Sequence, residues 1–203
     1  KGQNRIIVSA GTNRMYTEEY IQSVLEKAEA GDFVLLQNEI NMVGEIIRLS
    51  HEKGCRVVFN ASPIPKNPEE LPLELVDIFM VNELEAAALA GTSAEGDFRD
   101  ILKALQKKYP KAAIVMTLGK DGVLYGYKEE FYSHPIFKVN AVDTTAAGDT
   151  FCGYFLAALC AGKSVEMALR EASAASAMAV SAKGAAPSIP VHSAMEEWLR
   201  GRS

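Results

Sequence analysis

The sequence predicts an α/β fold built on a mainly parallel sheet that ends in an antiparallel edge hairpin. Short β-branched runs alternate with segments of helical period along the first part of the chain, which is typical of βαβ units. Two alternating apolar runs separated by charge, 122–128 and 130–139, are typical of a hairpin. With 203 residues, 48% of them hydrophobic, the chain can bury one sizeable core, so we expect a single domain over 1–203.

The individual elements follow from the same patterns, read in chain order. Thr17 is expected to cap the first helix, and Gly54 and Gly91 to end the second and third. Gly162 and Gly184 are expected to end two of the C-terminal helices. The predicted strands are 5–10, 33–38, 56–61, 77–82 and 112–118; the predicted helices are 17–31, 41–54, 83–91, 148–161, 164–182 and 192–200; the Pro-rich stretch 62–72 is expected to be an ordered loop.

Composition and charge exclude several classes of protein. The net charge of −5 and the lack of a basic stripe argue against a nucleic-acid partner. Because no run of about 18 apolar residues occurs, no membrane span is expected. Cys55, Cys152 and Cys160 lie in apolar surroundings without metal-ligand spacing, which predicts buried free thiols and a cytoplasmic location.

The segment AVDTTAAGDTF, residues 141–151, has the features of an anion cradle. The small residues 146–148 allow a ligand to approach the backbone, and the helix that follows directs its unpaired N–H groups towards that ligand. Asp149 would repel an anion there, so it is better explained as a base that takes a proton from a hydroxyl attacking a phosphoryl group. The alternative is that Asp149 only caps its helix.

Polar residues at other strand ends could complete a nucleotide site. Asn82, Glu83 and Glu85 follow the strand 77–82, at the edge where open α/β sheets bind ligands, and could hold Mg²⁺ beside phosphates. Alternatively, Glu85 is an exposed residue in the first turn of a helix. The stretch 117–122, TLGKDG, could lie along a nucleotide or be a plain loop into the hairpin, and carbonyls within 179–190 could bind a cation.

Taken together and in this order, these four segments resemble the ribokinase-like carbohydrate kinase family over nearly the whole chain, from about residue 3 to residue 202. The resemblance implies a three-layer α/β/α fold. It also implies that Asp149 is the catalytic base and contacts the substrate hydroxyl, and that the amides of Ala146, Ala147 and Gly148 form an anion hole for the transferred phosphoryl group.

The resemblance assigns further residues to ATP, metal ions and sugar. The implied roles are ATP binding for Asn82, Thr117, Gly119 and Gly122; Mg²⁺ binding for Glu85; K⁺ binding for the side chains of Asp143 and Ser188 and the carbonyls of Thr145, Val180 and Gly184; and sugar binding for Glu39.

Two departures from the family pattern qualify these expectations. Ala146 stands where many family members have glycine. The family's first signature, a Gly-Gly-rich sugar-binding segment, belongs to an N-terminal part that also supplies the first strands and a small β-lid, and this chain lacks it. We therefore expect the nucleotide-binding C-terminal part of a kinase, with the chain alone inactive and with family lids pointing to a possible homodimer.

The implied reaction is ATP-dependent phosphorylation of a sugar primary hydroxyl, D-ribose to ribose 5-phosphate, assisted by Mg²⁺ and a monovalent cation such as K⁺. Two alternatives remain open. The first is a fructokinase-like or nucleoside kinase of the same family, since much of the sugar site lies in the absent part, although Glu39 favours ribose. The second is a nucleotide-binding module without catalysis.

Overall fold

The structure, a computed structural model, describes residues 9–202. The strand expected at 5–10 falls mostly outside the described residues. The strands are β1 Phe33–Gln37, β2 Arg56–Asn60, β3 Ile78–Asn82, β4 Ala113–Thr117, β5 Val123–Tyr127 and β6 Glu130–His134. The α-helices are α1 Glu18–Leu25, α2 Val43–Glu52, α3 Glu83–Ala90, α4 Phe98–Lys108, α5 Ala147–Cys160, α6 Val165–Val180 and α7 His192–Arg200.

The six strands form one sheet in which their spatial order is their chain order, β1 to β6. The first pair is parallel, in a register that sets Phe33 opposite Arg56 and Gln37 opposite Asn60. Strands β4 and β5, and then β5 and β6, pair antiparallel. The predicted fold class, a mainly parallel sheet with an antiparallel hairpin at its edge, is therefore confirmed.

The described residues form two compact units, one up to Phe79 and one from Met80. In the first unit Thr17 caps α1 as predicted, since its side chain accepts a hydrogen bond from the Tyr20 N–H. The turn after β1 is held by Asn38, whose side-chain amide donates to the Pro63 carbonyl at 2.9 Å. The core of this unit contains the fully buried side chains Ile47, Val57, Val58 and Phe59.

The second unit contains the hairpin and five helices, with α5 packed on α6. Most buried residues of α6 are alanines, and such small side chains let two helices approach closely. Ser164 caps α6 by accepting from the Met167 N–H. The last helix, α7, is anchored by the fully buried Met195, and its Trp198 ring meets Phe137 edge-to-face at 5.2 Å.

Helix α4 was not predicted, although the sequence contains its signals. Asp97 caps the helix by accepting from the Arg99 N–H at 2.8 Å. Ile101, Leu102 and Leu105 are buried along one face, and their spacing is that of an amphipathic helix. The stretch between β3 and β4 thus contains two helices where only the first was expected.

One of the cysteine expectations is also wrong. Cys55 and Cys152 are buried free thiols as predicted, but Cys160 is exposed because it is the last residue of α5, where the helix reaches the surface. Within residues 9–202, none of the helices is both long and apolar enough to cross a membrane.

Candidate active site

Helix α5 begins at the predicted anion cradle and has an unusual N-terminus. Its N-cap residue, Ala146, is left-handed at φ 58° and ψ 14°, and it has no side-chain oxygen to cap the first turn. The Ala146 carbonyl accepts from both the N–H and the hydroxyl of Thr150, at 2.9 and 2.8 Å. The N–H of Ala147 donates weakly to the Thr144 carbonyl at 3.3 Å. The first turn of α5 thus has no capping side chain, and its Ala147 N–H is engaged only by this weak bond.

Asp149 lies in the first turn of α5 and is exposed. A carboxylate there is favoured by the positive end of the helix dipole. The position is therefore compatible with either of the predicted roles, a helix-capping charge or a base beside the cradle.

The cradle opens into a cleft of about 710 Å³ that lies wholly in the second unit. This volume is typical of a pocket for a small molecule or cofactor. The predicted site residues that line it are Asn82, Thr117, Gly119, Gly122, Ala147, Gly148 and Val180. Those that do not are Ala146, Asp149, Glu85, Asp143, Thr145, Gly184, Ser188 and Glu39. Glu39 belongs to the first unit, exposed in the turn after β1, and its sugar-binding role stays a prediction.

Several residues of the cleft wall were not predicted. The stretch 136–139 with Ala141 forms part of it, and Ser173, Ser176 and Ala177 of α6 form another part. Their contribution depends on how the chain folds back after β6 and on which face of α6 is turned inward, and a local sequence pattern reports neither. Lys120 also lines the cleft, and it was present in the predicted loop without being assigned a role.

Asn82 and Glu85 form a reciprocal capping box at the start of α3. The Glu85 N–H donates to the Asn82 side-chain oxygen and the Asn82 N–H donates to Glu85 Oε2, both at 2.9 Å. Glu85 is only 7% exposed, so the alternative of an exposed first-turn glutamate is wrong. The box explains why these residue types occur at this spacing, and it leaves Glu85 Oε1 outside the hydrogen bonds of the box.

The two glycines of the loop 117–122 differ in what an added Cβ atom would meet. Gly122 has φ 95°, and a Cβ atom there would lie 2.2 Å from the His134 carbonyl oxygen, so the hairpin can close only with glycine at this position. Gly119 has φ 53° but nothing lies within 4 Å of a Cβ built on it. The Thr117 hydroxyl at the end of β4 donates to the Val81 carbonyl of β3 at 3.4 Å.

The Asp143 carboxylate joins the two segments of the predicted cation site. Its Oδ1 accepts from the N–H and the hydroxyl of Thr145, at 3.0 and 2.6 Å, and its Oδ2 accepts from the Gly184 N–H at 3.0 Å. These hydrogen bonds, first that of the Thr145 hydroxyl and then those of the Gly184 and Thr145 amides, lower the pKa of Asp143 to about 2. The group is therefore a permanent negative charge at neutral pH.

The donor set around Asp143 fits a monovalent cation only in part. Oδ2 retains one acceptor position, since it takes a single N–H. The Val180 carbonyl already accepts the N–H groups of Val142 and Asp143, at 2.7 and 3.2 Å. The buried Ser188 hydroxyl donates to the Ala185 carbonyl at 2.7 Å. Within 9–202, no three or more His, Cys, Asp or Glu side chains cluster as a metal site.

Comparison with known proteins identifies the family to which this chain is similar. The family model described as pfkB family carbohydrate kinase matches residues 1–192. The ribokinase of Haemophilus influenzae is 34% identical over 97% of this chain and 65% of its own length, and that of Bacillus subtilis is 36% identical over 98% and 66%. The chain thus spans slightly less than two thirds of these relatives.

Solved structures agree with the sequence relatives. The crystal structure of the Thermotoga maritima ribokinase matches with a TM-score of 0.83 at 34% identity, covering 98% of this chain and 66% of that one. The Arabidopsis thaliana ribokinase, solved as a complex with ribose and ATP, matches with a TM-score of 0.82 at 31% identity and the same coverage. These likenesses confirm the predicted three-layer α/β/α fold, and the chain belongs to the pfkB family of carbohydrate kinases.

Proposed function

We propose that the protein containing this chain transfers the γ-phosphoryl group of ATP to a primary hydroxyl of a pentose, converting D-ribose to ribose 5-phosphate. The support from relatives is that the chain is 33–36% identical to several bacterial ribokinases. The Arabidopsis relative was solved with ribose and ATP, and a Cryptococcus neoformans ribokinase was solved with ADP.

One observation in this chain supports the proposal above all others. The uncapped N-terminus of a 14-residue helix opens into a cleft of nucleotide size, and Ala147 and Gly148 of its first turn line that cleft. Backbone N–H groups at a helix N-terminus stabilise anions. In phosphoryl transfer most of the catalysis is positioning and stabilisation of the charge on the transferred group. The cradle therefore suits a γ-phosphoryl group as it leaves ATP.

The charges of the cleft fit a polyanionic ligand. Lys120 and Lys138 both line it, and neither forms an ion pair with a described carboxylate. Lys120 lies in the loop between β4 and β5, whereas Lys138 lies in the segment after β6. Glu83 also lines the cleft, so the lining carries two positive charges and one negative charge, a net positive charge in a chain whose own net charge is −5.

Asp149 is the group we assign to the acceptor side of the reaction. It follows Gly148 in the same helical turn, so a hydroxyl bound beside it would lie next to the phosphoryl group in the cradle. As a general base it would accept the hydroxyl proton as the sugar oxygen attacks. The phosphoryl group passes to that oxygen, and ADP is released with the electron pair of the broken bond.

Two ions would assist this reaction. Mg²⁺ neutralises phosphate charge in kinases, and the Asn82–Glu85 box could hold it through Glu85 Oε1, directly or through water. A monovalent cation would add positive charge next to the start of α5, and Asp143 Oδ2 with nearby carbonyls would hold it. The Val180 carbonyl could join only by giving up an N–H partner.

Replacing the proposed base tests the function. In the full-length protein we expect Asp149→Asn to leave ATP affinity nearly unchanged and to lower kcat with ribose by roughly 10² or more, as general-base loss does. Kinetics in a coupled ADP-release assay and ATP titration by calorimetry measure the two quantities. Near-normal turnover of the variant would disprove the assigned role.

The choice of sugar is tested in the same assay with the wild-type protein. Ribose, 2-deoxyribose, fructose and a purine nucleoside are compared by kcat/KM, and ribose is expected to have the highest value. A higher value for fructose or the nucleoside would replace ribose with that substrate. ATP binding without turnover of any of them would identify a non-catalytic nucleotide-binding protein.

A further inference from the structure

The cradle at the start of α5 is held in place from a second helix. The Ser176 hydroxyl of α6 donates a hydrogen bond to the Ala147 carbonyl oxygen at 3.1 Å. Ser176 is half-buried and lines the cleft together with Ala147 and Gly148. Ser176 and Ser173, three residues before it, are polar residues of α6 that line the cleft, whereas Ala172 and Ala179 on the same side of the helix are fully buried.

The atom that accepts this bond matters for the chemistry. A peptide unit is planar, so the Ala147 carbonyl and the Gly148 N–H belong to one rigid group and point in opposite directions. Fixing the oxygen therefore fixes the direction of the Gly148 N–H, one of the donors of the proposed anion hole. A donor on the carbonyl also polarises the peptide, which strengthens the hydrogen bond that its N–H can give.

The preceding peptide unit has an equivalent arrangement. The Thr150 hydroxyl donates to the Ala146 carbonyl at 2.8 Å, and that carbonyl shares its plane with the Ala147 N–H. Two successive amides of the cradle thus each have a hydroxyl bonded to the opposite end of their peptide. Thr150 acts from within α5, whereas Ser176 ties the cradle to α6.

A fixed direction is of special value here because the usual local device is absent. Ala146 has no side-chain oxygen with which to cap α5, so no N-cap side chain orients the first turn. An anion hole lowers a barrier only if its donors are oriented before the charge develops. We infer that Ser176 is a positioning residue for phosphoryl transfer, acting on the transition state through the Ala147–Gly148 peptide. This inference rests on the proposed kinase function.

The inference is tested first by kinetics in the full-length protein. We expect Ser176→Ala to lower kcat roughly tenfold, less than the hundredfold or more that loss of a whole oxyanion-hole donor costs, with the KM for ATP changed less than twofold. Ser176→Thr, which keeps a hydroxyl, is expected to recover most of the rate. Affinity for ADP with a planar metal fluoride, which mimics the transferred group, should fall in parallel with kcat, whereas affinity for ADP alone should not.

The matched control is Ser164→Ala on the same helix. Ser164 caps α6 and does not line the cleft, so its loss weakens the helix without removing a bond to the cradle. If Ser164→Ala lowers kcat as much as Ser176→Ala, the effect is merely structural and the inference is wrong.

A spectroscopic measurement separates this inference from the proposed function. Loss of a hydrogen bond at the Ala147 carbonyl should move the ¹⁵N chemical shift of the Gly148 amide upfield in Ser176→Ala but not in Ser164→Ala, without any ligand. An unchanged Gly148 shift would overturn the inference even if the enzyme is active. If the wild-type protein phosphorylates no sugar, the proposed function fails while the shift still shows whether Ser176 controls this peptide.

Discussion

Gly122 is the position at which the structure makes its sharpest prediction about stability. An alanine there would hold its Cβ 2.2 Å from the His134 carbonyl oxygen and 3.0 Å from the Pro135 Cα. Both neighbours are backbone atoms, so no side-chain rotation can relieve the contact. The backbone at φ 95° and ψ −135° is also one that L-residues avoid, at a cost of about 1–3 kcal/mol.

The total cost of Gly122→Ala follows from these contributions. Moving Gly122 away from the end of β6 would strain the Leu118 N–H bond to the Gly122 carbonyl, now 2.8 Å long, which is worth about 1 kcal/mol. With the backbone penalty and the residual clash, we expect the free energy of unfolding to fall by about 3–5 kcal/mol. For a protein of this size that corresponds to a Tm lower by roughly 10 °C.

Gly119→Ala in the same loop is the matched comparison. Its φ of 53° costs an L-residue about 1–2 kcal/mol, partly offset by the lower entropy of the unfolded chain, and its Cβ would meet no atom within 4 Å. We expect a loss of roughly 0.5–1 kcal/mol. Urea unfolding followed by circular dichroism in the full-length protein measures both variants. Equal losses for the two alanines would refute the steric reasoning and the placement of Gly122 against β6.

Three further predictions concern charges. Lys120→Ala should raise the KM for ATP about fivefold, since an exposed charge pair is worth about 1 kcal/mol. The control Lys107→Ala on α4 should leave this KM unchanged. Steady-state kinetics at low and moderate salt will show whether the two variants differ. Hydrogen bonds depress the pKa of Asp143 to about 2, so the stability that this group contributes is complete above its unfolded pKa near 4 and is lost as pH falls towards 2. In Asp143→Asn the free energy of unfolding should therefore fall less steeply with decreasing pH over this range. The same pH dependence in the variant and the wild type would count against the described contacts. If Asp143 also holds a cation, the wild-type rate should be higher in K⁺ than in a bulky organic cation and the variant should lose this difference.

Local patterns were enough for most of the fold. Strand β2 shows why, because Val57, Val58 and Phe59 form a short apolar run that is fully buried, and its length and β-branched valines favour a strand over a helix. Helix α4 is harder to predict because it follows a Gly-containing turn and carries many charges, which make its apolar face less evident than that of the neighbouring ELEAAALA helix. Its Asp97 cap and the spacing of its leucines were sufficient to find it.

Parts of the candidate site could be predicted only where the local sequence determines the backbone conformation of the residue concerned. The start of α5 is such a case, since small residues before an apolar helix indicate locally where the helix begins and where its backbone is open to a ligand, while its role as an anion cradle stays a prediction. The Asn82–Glu85 spacing is not, because a capping box and a ligand pair require the same residue types at the same separation. The position of Ser176 at the cradle could not be predicted from the sequence, because it depends on a hydrogen bond to a peptide of another helix, α5.

The aromatic contact between Phe137 and Trp198 has a thermodynamic consequence. Phe137 lines the cleft, whereas Trp198 belongs to α7, which contributes no lining residue among 9–202. If a ligand of the cleft orders Phe137, it would also favour packing of α7 against that ring, and by linkage a change that loosens α7 would weaken the ligand by the same free energy. Substitutions in α7 that loosen it are therefore expected to weaken ligand binding in the cleft, although none of the described residues of α7 lines it.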